Sequence, residues 1–321
     1  MRARPADIDP RALKSELKAG WRLSDLRLRH RPVGGGSHHW LATDGAGTRR
    51  FVTVDDLDRK PWFGVGRQPA FDGLRGSYST ALALGRGGLE FVVPPEPDAS
   101  GASLRRHGDR YTIAVFPFLD GRRLGRFAIP ESERVRVVEL LAWLHRAKPS
   151  DSVPRRPTGN PQLAAIDVAL RELQSHWDAG PYGETARTWL RRSAAALARM
   201  RAEHARLLEG AGSRPRVVTH GEPHAGNLLL AGRELSLVDW DTVAMAPPER
   251  DLWLAAGDDA GLWRVYRDRT GHRVSPEAIR MYSLAWRLDD VAAFLGALRV
   301  PHERNGDTEH AVRALHRITL G

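Results

Sequence analysis

The stretch of sequence that decides the fold is Val217–Leu252, which reads VVTHGEPHAGNLLLAGRELSLVDWDTVAMAPPERDL. Two short apolar runs within it, Val217–Val218 and Leu235–Val238, predict buried strands, and polar residues follow each run. We expect the two strands to form a hairpin-like pair joined by a tight loop. The polar side chains after both strands would then meet at one end of a sheet.

Three of those polar side chains are typical of magnesium-assisted phosphoryl transfer. Glu222 and Asn227 lie five residues apart after the first run, and Asp239 follows the second run directly. This chemistry requires hard oxygen ligands for Mg²⁺ and an acceptor group placed at the attacking hydroxyl. A short loop after a strand turns two side chains at this spacing into the same cleft. The pattern therefore predicts a phosphoryl-transfer site.

The other polar residues of the stretch allow further interpretations. His220 fits a structural hydrogen-bonding residue beneath the loop better than a proton carrier, and His224 is a candidate contact for a phosphate or a substrate. Asp241 fits a solvated residue better than a second metal contact. A zinc site is disfavoured because H-x-E-x-H lacks the helical spacing of H-E-x-x-H, and Gly221 and Pro223 prevent a helix there.

The pattern H-G-x-x-x-x-x-N, followed by V-D-W-D and later by P-P-E-R-D-L, resembles the aminoglycoside phosphotransferase family. The resemblance implies that Glu222 stands where the family has its catalytic Asp, and that Asn227 holds Mg²⁺. It implies that Asp239 bridges the metal to the β- and γ-phosphates and that Asp251 is structural. Glu222 is one methylene longer than Asp, which moves the carboxylate by on the order of 1.5 Å.

The same resemblance implies an α+β fold of the protein-kinase type with two lobes. A small N-terminal lobe with an antiparallel sheet would span residues 1–119, and a larger, mostly helical lobe would span residues 120–321. The hinge between them is expected at about residues 116–121. The expected cofactors are ATP, or another nucleoside triphosphate, and Mg²⁺. A chain of 321 residues is long enough for two lobes.

A glycine-rich turn is predicted between the first two strands, where kinase-like folds cover the nucleotide. It consists of Gly34, Gly35, Gly36 and Ser37, within GGGSHHW. Glycines at such a turn let backbone N–H groups approach phosphate oxygens. A glycine run also suits a plain hairpin turn, but its position relative to the later motifs favours nucleotide binding.

The third strand departs from the family pattern, because Thr53 stands where the phosphate-binding lysine is expected. The usual acidic partner is also missing, since the helix predicted at residues 71–84 contains only Asp72 near its start. Lys60 is a candidate replacement, although a solvated turn residue is the favoured interpretation of this lysine. The other candidate cations are Arg49, Arg50 and Arg75. An Arg is not equivalent to a Lys here, because its planar guanidinium differs from a point charge.

The last two strands of the first lobe are predicted at residues 89–95 and 110–119. Residues 116–121 would form the hinge, where the carbonyl of Pro117 and the N–H of Leu119 would bind an adenine ring. Phe116 and Phe118 are candidates for lining that slot, and core packing is the favoured interpretation of both. Helices are predicted at residues 9–20, 130–149, 161–177, 184–209 and 276–298.

Composition narrows the function classes. The net charge of +10 is spread along the chain and favours solvated helix faces over a nucleic-acid partner. It also counts against a polycationic aminoglycoside as substrate. The sequence has no cysteine, no N-terminal apolar core of a secretory signal and no run near the roughly 18 apolar residues of a membrane span. We therefore expect a cytoplasmic protein without membrane contact. Asp289 and Asp290 are candidates for facing a substrate, and a solvated helix face is the favoured interpretation of both.

Three hypotheses of function follow. The favoured one is an ATP- and Mg²⁺-dependent phosphotransferase that acts on a hydroxyl group of a small or natural-product-like molecule. The second is a kinase-like enzyme that phosphorylates Ser or Thr of a peptide, which the basic charge would suit. The third is a pseudokinase that binds a nucleotide or a partner without turnover, because the expected lysine is absent and Glu222 replaces an Asp.

Overall fold

A computed structural model describes residues 1–155, 163–210 and 214–318 of the chain. The chain has the predicted α+β composition and divides into two compact units. Unit 1 comprises Met1, Ala3–Arg156 and Pro215–Ser275, and unit 2 comprises Arg2, Pro157–Arg214 and Pro276–Gly321. The division into lobes at residue 119, with a hinge at about residues 116–121, stays a prediction.

The strands of the described residues are β1 (Arg27–Arg31), β2 (Ser37–Thr43), β3 (Arg49–Asp56), β4 (Arg105–His107), β5 (Tyr111–Pro117), β6 (Arg122–Arg123), β7 (Val217–Thr219), β8 (Leu228–Ala231), β9 (Glu234–Leu237) and β10 (Ala244–Ala246). The α-helices are α1 (Pro10–Trp21), α2 (Arg67–Arg86), α3 (Glu131–Arg146), α4 (Leu163–Arg171), α5 (Gly183–Glu209), α6 (Glu249–Ala255), α7 (Ala260–Thr270), α8 (Pro276–Arg299) and α9 (Gly306–Arg317).

An antiparallel sheet of five strands, in the order β1-β2-β3-β5-β4, forms the first part of unit 1. The predicted glycine-rich turn connects β1 to β2. Side chains on successive residues of a strand point to opposite faces, and Val52 and Val54 of β3 share one face. They pack with Ile113 and Val115 of β5 in a core to which α1 also contributes.

Helix α2 covers the other face of this sheet. It extends beyond the predicted residues 71–84 at both ends. Its buried residues Ala70, Leu74 and Tyr78 recur every four positions, as expected for one face of a helix. They form a core with Ala114 of β5, which points away from the Val115 side. This packing places α2 against the face of β3 that carries Thr53 and Asp55.

The strand predicted at residues 89–95 is wrong. Residues 91–93 instead bond to β9: Leu237 N–H donates to Phe91 O at 2.7 Å, and Val93 N–H donates to Leu237 O at 3.2 Å. Pro94 and Pro95 have no N–H group, so this segment cannot continue a ladder. The fifth strand of the sheet is β4, which the sequence analysis did not predict, whereas the strand predicted at residues 110–119 is confirmed as β5.

The hairpin-like pairing predicted within Val217–Leu252 is also wrong. Both apolar runs are strands, but β7 pairs with β10, whereas β9 pairs with β8 in a sheet of order β6-β8-β9. The run Leu228–Ala231 competes successfully for β9 because only two residues separate it from that strand. The loops after β7 and β9 still approach each other, since Val238 N–H donates to Asn227 O at 3.0 Å.

Unit 2 is helical in its described residues. Helices α4, α5, α8 and α9 bury a common apolar core that includes Leu190, Leu197, Leu284 and Leu288. Residues 161 and 162 of the helix predicted at 161–177 lie outside the described residues, and α5 confirms the helix predicted at 184–209. Asp290 of α8 is half-buried rather than solvated. Burial, together with the adjacent Asp289, raises its pKa to about 7.

Within the described ranges, every helix is too short or too polar to cross a bilayer.

Candidate active site

Lys60 lies at the centre of a buried group of polar side chains in unit 1. Its Nζ is 2.9 Å from Asp55 Oδ1 and 2.6 Å from Asp241 Oδ2, and it donates to Ser37 Oγ at 3.0 Å. Asp55 also accepts from Ser37 Oγ at 2.6 Å and from Tyr78 OH at 2.9 Å. We call these five residues the lysine cluster. The favoured interpretation of Lys60 as a solvated turn residue is wrong, because its side chain is only 1% exposed.

The chain brings Lys60 to this place by two short 3₁₀ turns after β3. The first turn ends at Lys60, whose N–H donates to Leu57 O at 3.4 Å, and the second begins at Pro61. Leu57 is buried in the core under α2 and fixes the first turn. Asp55 and Asp56 point to opposite faces of β3, so Asp56 binds Arg110 at 2.7 Å instead of Lys60.

Lys60 is a charged residue despite its burial. Desolvation alone would lower the pKa of its ammonium group, but the carboxylates of Asp241 and Asp55 more than offset this effect and raise the pKa. Desolvation likewise would raise the pKa of Asp55, but Lys60 and the hydroxyl donors Ser37 and Tyr78 hold that pKa below its ordinary value. The cluster therefore contains a fixed positive charge.

The glycine-rich turn lies directly beside this charge. Gly34 and Gly36 have φ angles of 71° and 77°, a region in which residues with a Cβ are strained. A Cβ built on Gly36 would lie 3.9 Å from Lys60 Nζ, and one on Gly35 would meet no atom within 4 Å. Ser37, the residue that ends the turn, bonds Lys60 through its hydroxyl group. The predicted turn residues and Lys60 are thus brought together.

Thr53 is buried on the same face of β3 as Asp55. Its Oγ1 lies 3.3 Å from His39 Nδ1, and burial lowers the pKa of His39 to about 3. The other candidate cations bind carboxylates elsewhere. These ion pairs are Arg49–Asp120 at 2.9 Å, Arg50–Glu96 at 2.8 Å and Arg75–Asp72 at 2.8 Å. Among the candidates, Lys60 is the cation that the structure places at the glycine-rich turn.

The loop after β7 is held from below by Asp251 of α6. The Asp251 carboxylate accepts from His220 N–H at 2.8 Å and from Gly221 N–H at 2.6 Å, and it lies 3.0 Å from His145 Nε2. We call Asp251, His145, His220 and Gly221 the loop anchor. Burial would raise the pKa of Asp251, but the bond from His145 and nearby positive charge hold it below its ordinary value. The structural role predicted for Asp251 is confirmed by these contacts.

His220 has the predicted structural role as well. Its Nδ1 accepts from Glu222 N–H at 3.2 Å and its Nε2 lies 3.0 Å from Val238 O, so both ring nitrogens bond to backbone. Burial lowers the pKa of His220 to about 4, which keeps the ring neutral at pH 7. With both nitrogens engaged in this way, His220 has no lone pair to offer a zinc ion. Gly221 (φ 97°) is required next to it, because a Cβ there would lie 2.2 Å from the Arg250 guanidinium group.

Asn227 and Glu222 are connected within this loop. Asn227 Nδ2 donates to Glu222 O at 3.0 Å, which fixes the amide and leaves Oδ1 as its oxygen donor for a cation. Glu222 itself is half-buried, whereas Asn227 is buried. His224 caps the start of the short 3₁₀ turn Ala225–Asn227, where its Nδ1 accepts from Gly226 N–H at 3.1 Å. Glu222 and Asn227 therefore belong to one compact loop, and the cleft predicted to receive both side chains stays a prediction.

Asp239 adopts a backbone conformation that is uncommon for a residue with a side chain. Its φ and ψ angles are 71° and 63°, in the left-handed region, and strained residues of this kind cluster at functional sites. The following turn carries Asp241, whose backbone carbonyl accepts from Ser77 Oγ at 3.2 Å. The preferred interpretation of Asp241 as a solvated residue is wrong, because its carboxylate is buried against Lys60.

The pKa of Asp239 is raised to about 7 by desolvation and by repulsion from the Asp241 and Asp55 carboxylates. Because the Asp239 side chain is open to solvent, we ascribe the larger part of the rise to repulsion. A carboxylate in this position gains by binding a cation, which cancels the repulsion. The sign of the shift therefore fits the metal ligand predicted from the sequence.

Asp239 and Asn227 have the donor set that Mg²⁺ prefers. Both are oxygen donors, and Mg²⁺ is usually bound by one or two protein groups together with water and phosphate oxygens. No group of three or more His, Cys, Asp or Glu side chains within the described ranges is arranged to hold a metal ion. The oxygen donors of Asp239 and Asn227 are therefore of the type that Mg²⁺ accepts.

Pro117 and Leu119 lie far from the lysine cluster along the sheet. Asp55 pairs with Thr112 and Arg50 pairs with Pro117, so five residues of β5 separate the two positions, or roughly 17 Å of extended chain. Leu119 lies beyond the end of β5 and is half-buried. The aromatic residues beside them differ: Phe116 packs edge-on against Tyr78 in the core, as favoured, whereas the Phe118 ring stacks against the Arg49 guanidinium group at 4.3 Å.

Sequence analysis missed the carboxylate that pairs with Lys60. An acidic partner was expected on helix α2, whereas the partner is Asp55 on β3, and α2 contributes the hydroxyl of Tyr78 instead. A signal was present in the sequence, because Thr53 and Asp55 alternate with Val52 and Val54. Polar residues on one face of a central strand indicate that this face covers a buried polar site.

Comparison with known proteins gives two matches in sequence. The family model described as Phosphotransferase enzyme family matches residues 66–299, which is most of the chain. Protein StrN of Streptomyces griseus is 29% identical over 263 residues, which is 77% of this chain and 77% of StrN.

Solved structures resemble the whole chain. Spectinomycin phosphotransferase APH(9)-Ia, in complex with ADP and spectinomycin, superposes with a TM-score of 0.75 at 14% identity and covers 97% of this chain and 94% of its own. The microcompartment-associated aminopropanol kinase superposes with a TM-score of 0.62 at 16% identity and covers 96% and 94%. At such identities the likeness concerns the fold alone. The kinase-like α+β fold predicted from the sequence is confirmed.

Proposed function

The chain belongs to the phosphotransferase enzyme family, and on this premise we propose that it transfers the terminal phosphoryl group of ATP, with Mg²⁺, to a hydroxyl group of a small, natural-product-like molecule. Membership of the family makes the chain a kinase that uses an alcohol group as acceptor. The nucleotide, the metal ion and the acceptor molecule belong to the proposal.

A single observation carries this proposal: one buried ammonium group joins the glycine-rich turn to the loop that carries Asp239. Lys60 Nζ bonds Ser37, which ends the turn, and Asp241, which lies two residues after Asp239. A phosphate chain bound between turn and loop would meet the positive charge of Lys60. Such a fixed charge stabilises phosphoryl transfer, because the reaction depends mainly on positioning and charge neutralisation.

The phosphates of the nucleotide would be held at the glycine-rich turn. Gly34 and Gly36 have no side chain and adopt the left-handed conformation that the turn requires. The backbone N–H groups of the turn can therefore approach phosphate oxygens. Lys60 would bind a phosphate oxygen by its ammonium group. The roles of Thr53 and Ser37 would be to line this pocket, Ser37 through its hydroxyl group.

Asn227 Oδ1 and the Asp239 carboxylate would hold the metal ion. Bound there, Mg²⁺ would neutralise negative charge on the phosphates and on the transferred group. The residues of the loop anchor keep Asn227 and Glu222 in place, since they fix the backbone from which both side chains project. Glu222 would accept the proton of the attacking hydroxyl or orient that hydroxyl toward the phosphorus.

The purine ring of the nucleotide would lie near the end of β5. The carbonyl of Pro117 and the N–H of Leu119 are the proposed partners for the ring edge. The distance of Pro117 from Asp55 along the sheet, roughly 17 Å, is on the scale of an extended nucleoside triphosphate. The proposed base-binding and phosphate-binding ends of the site are thus separated by about the length of the nucleotide.

The hypothesis of a protein that binds nucleotide without turnover is less well supported. One reason for that hypothesis was the absence of the lysine from the third strand and of its acidic partner from the helix. Lys60 and Asp55 supply a buried pair of the same charges. The proposed location in the cytoplasm rests on the sequence, which has no cysteine. ATP and Mg²⁺ are available there.

The experiment that tests the proposal is calorimetric titration of Mg-ATP into the wild type and into Asp239→Ala. We expect micromolar binding in the wild type and a loss of at least tenfold in the variant, or about 1.4 kcal/mol. Asp268→Ala is a matched control, because Asp268 is an exposed residue of α7 whose ion-pair partner among the described residues is its neighbour Arg267. A mass-spectrometric screen of hydroxyl-bearing compounds for a phosphorylated product then identifies the acceptor.

The outcomes of this experiment differ for each part of the proposal. Binding that persists unchanged in Asp239→Ala would contradict the metal assignment. Absence of binding in the folded wild type would overturn the proposed function. A phosphorylated Ser or Thr in a peptide, with no phosphorylated small molecule, would favour the peptide kinase instead.

A further inference from the structure

Lys60 is held from two sides that differ in kind. On one side, Asp55 is fully buried and belongs to β3, the central strand of the sheet. On the other side, Asp241 belongs to a turn, and its side chain is 11% exposed. The Lys60–Asp55 pair therefore lies within the rigid sheet, whereas the Lys60–Asp241 pair lies at the edge of the proposed phosphate and metal site.

Asp55 is prepared to hold a cation by two hydroxyl groups. Ser37 Oγ donates to Oδ1 at 2.6 Å, and Tyr78 OH donates to Oδ2 at 2.9 Å. These donors come from β2 and α2, so two elements besides β3 fix the carboxylate. Hydrogen bonds to the charged form keep a buried carboxylate ionised, and Lys60 Nζ then completes its coordination at 2.9 Å.

Tyr78 is itself fixed by packing. It is 2% exposed in the core under α2, and its ring meets the Phe116 ring edge-on at 5.5 Å between centroids. A phenol held in this way directs its hydroxyl to one place. The chain of contacts from the core to the cation is thus Phe116, Tyr78, Asp55 and Lys60.

We propose that Asp55 and Tyr78 are positioning residues that hold the Lys60 ammonium group at the nucleotide phosphates. This inference rests on the proposed function, because it needs a phosphate at the glycine-rich turn. The Lys60–Asp55 pair is kept when the nucleotide binds, since it lies inside the sheet. Asp241 is the partner that Lys60 exchanges for a phosphate oxygen, since it lies at the edge of the site.

A comparison of neighbouring variants tests the inference. Asp55→Asn removes the charge that holds Lys60, and Asp56→Asn removes an equally buried carboxylate from the same strand that binds Arg110 instead. We expect Asp55→Asn to weaken Mg-ATP binding about tenfold and Asp56→Asn to leave the affinity unchanged. Calorimetric titration measures the affinity, and circular dichroism at the same temperature verifies that each variant is folded.

A double-variant cycle shows whether Asp55 acts through Lys60. Lys60→Met keeps a long side chain without the charge, and it is expected to weaken binding by more than tenfold. In the Lys60→Met background, the further change Asp55→Asn is expected to have no effect on affinity, because there is no ammonium group left to position. A tenfold effect of Asp55→Asn in that background would overturn the inference.

Tyr78→Phe provides a test if Asp55→Asn fails to fold. The ring and its contact with Phe116 are retained, and only the hydroxyl bond to Asp55 is lost. We expect a threefold to fivefold weaker affinity for Mg-ATP, which disappears in the Lys60→Met background. Equal weakening in both backgrounds would show a general loss of packing and would contradict the positioning role.

Failure of the inference is distinguishable from failure of the proposed function. If wild type binds Mg-ATP and Lys60→Met weakens it, while Asp55→Asn and Tyr78→Phe do not, the proposed function stands and the positioning role is wrong. If folded wild type binds no Mg-ATP, the proposed function itself fails.

Discussion

Two fully buried aspartates of unit 1, Asp55 and Asp251, bind opposite kinds of partner. Asp251, in the loop anchor, accepts from two backbone N–H groups and contacts a histidine ring, so it fixes the path of the chain. Asp55, in the lysine cluster, accepts from two hydroxyl groups and an ammonium group, so it fixes a charge. Burial alone therefore does not distinguish a carboxylate that orders the backbone from one that holds a cation, whereas the identity of its partners does.

The largest effect that separates the two sites is expected from Asp251→Ala. The substitution leaves the buried N–H groups of His220 and Gly221 without their acceptor, and it removes the charge beside His145. We expect the free energy of unfolding to fall by about 3–5 kcal/mol, as measured by urea denaturation. The exposed control Asp268→Ala is expected to change it by less than about 0.5 kcal/mol. A loss below about 1 kcal/mol for Asp251→Ala would show that the loop does not depend on its anchor.

Lys60→Met is expected to act on catalysis more than on stability. Loss of one fixed charge that stabilises the transferred group lowers kcat by about 10²- to 10³-fold. The free energy of unfolding should fall by less than in Asp251→Ala, since Asp55 keeps its two hydroxyl donors. Steady-state kinetics with the acceptor found by screening measures the first quantity, and urea denaturation measures the second. A loss of unfolding free energy in Lys60→Met larger than in Asp251→Ala, with kcat little changed, would contradict the distinction between the two sites.

The pH dependence of stability is a third difference. Burial holds the pKa of His220 at about 4, below its value of 6.5 in the unfolded chain, so the folded state resists protonation. The stabilisation from neutral His220 is present above pH 6.5 and is lost as the pH falls from 6.5 toward 4, by roughly 2–3 kcal/mol. Asp239 and Asp290 have raised pKa values of about 7, so they bind protons more readily in the folded state than in the unfolded state. Their contribution to the free energy of unfolding therefore rises as the pH falls below about 7.

A matched variant isolates the contribution of His220. His220→Gln keeps a donor and an acceptor but does not titrate, and the other groups titrate equally in both proteins. The difference in unfolding free energy between wild type and variant should therefore narrow as the pH falls from 6.5 to 4. A difference that is constant over this range would contradict the assigned neutral state.

The smallest effect is expected outside both sites, from Arg49→Ala. Its ion pair with Asp120 is exposed, with 43% and 86% of the two side chains accessible, and exposed pairs contribute little. We expect the free energy of unfolding to change by less than about 1 kcal/mol and to become less sensitive to salt. A larger loss, measured by urea denaturation at low and high salt, would indicate that the Arg49 contact with the Phe118 ring stabilises this end of the sheet.

Much of the candidate site could be predicted from local patterns in the sequence. The spacing of Glu222 and Asn227 predicts one compact loop, and the structure contains it, because short spacings constrain side chains to neighbouring positions. The glycine-rich turn between two strands follows from the same kind of local pattern. His220 and Asp251 were assigned structural roles, which their contacts with backbone confirm.

The parts that sequence reasoning missed depend on contacts between distant residues. Lys60 binds Asp241, which lies 181 residues later in the chain, and no periodicity in the sequence reports that contact. The burial of both residues, interpreted as solvated, could not be predicted for this reason. The prediction of a strand at residues 89–95 is wrong because this apolar run forms hydrogen bonds with β9 instead of with the first sheet. Composition describes how apolar a segment is and not which partner it finds.

The two 3₁₀ turns after β3 have a consequence for how such chains are sorted. They carry a lysine to the glycine-rich turn from a position seven residues beyond Thr53. Some kinases are judged active only if a lysine occupies a given alignment column within the third strand. By that rule this chain would be classed as inactive. A phosphate responds to where a positive charge lies in space and not to the column that encodes it. Surveys of degenerate members of such families would therefore be more reliable if they searched the turn after the strand as well.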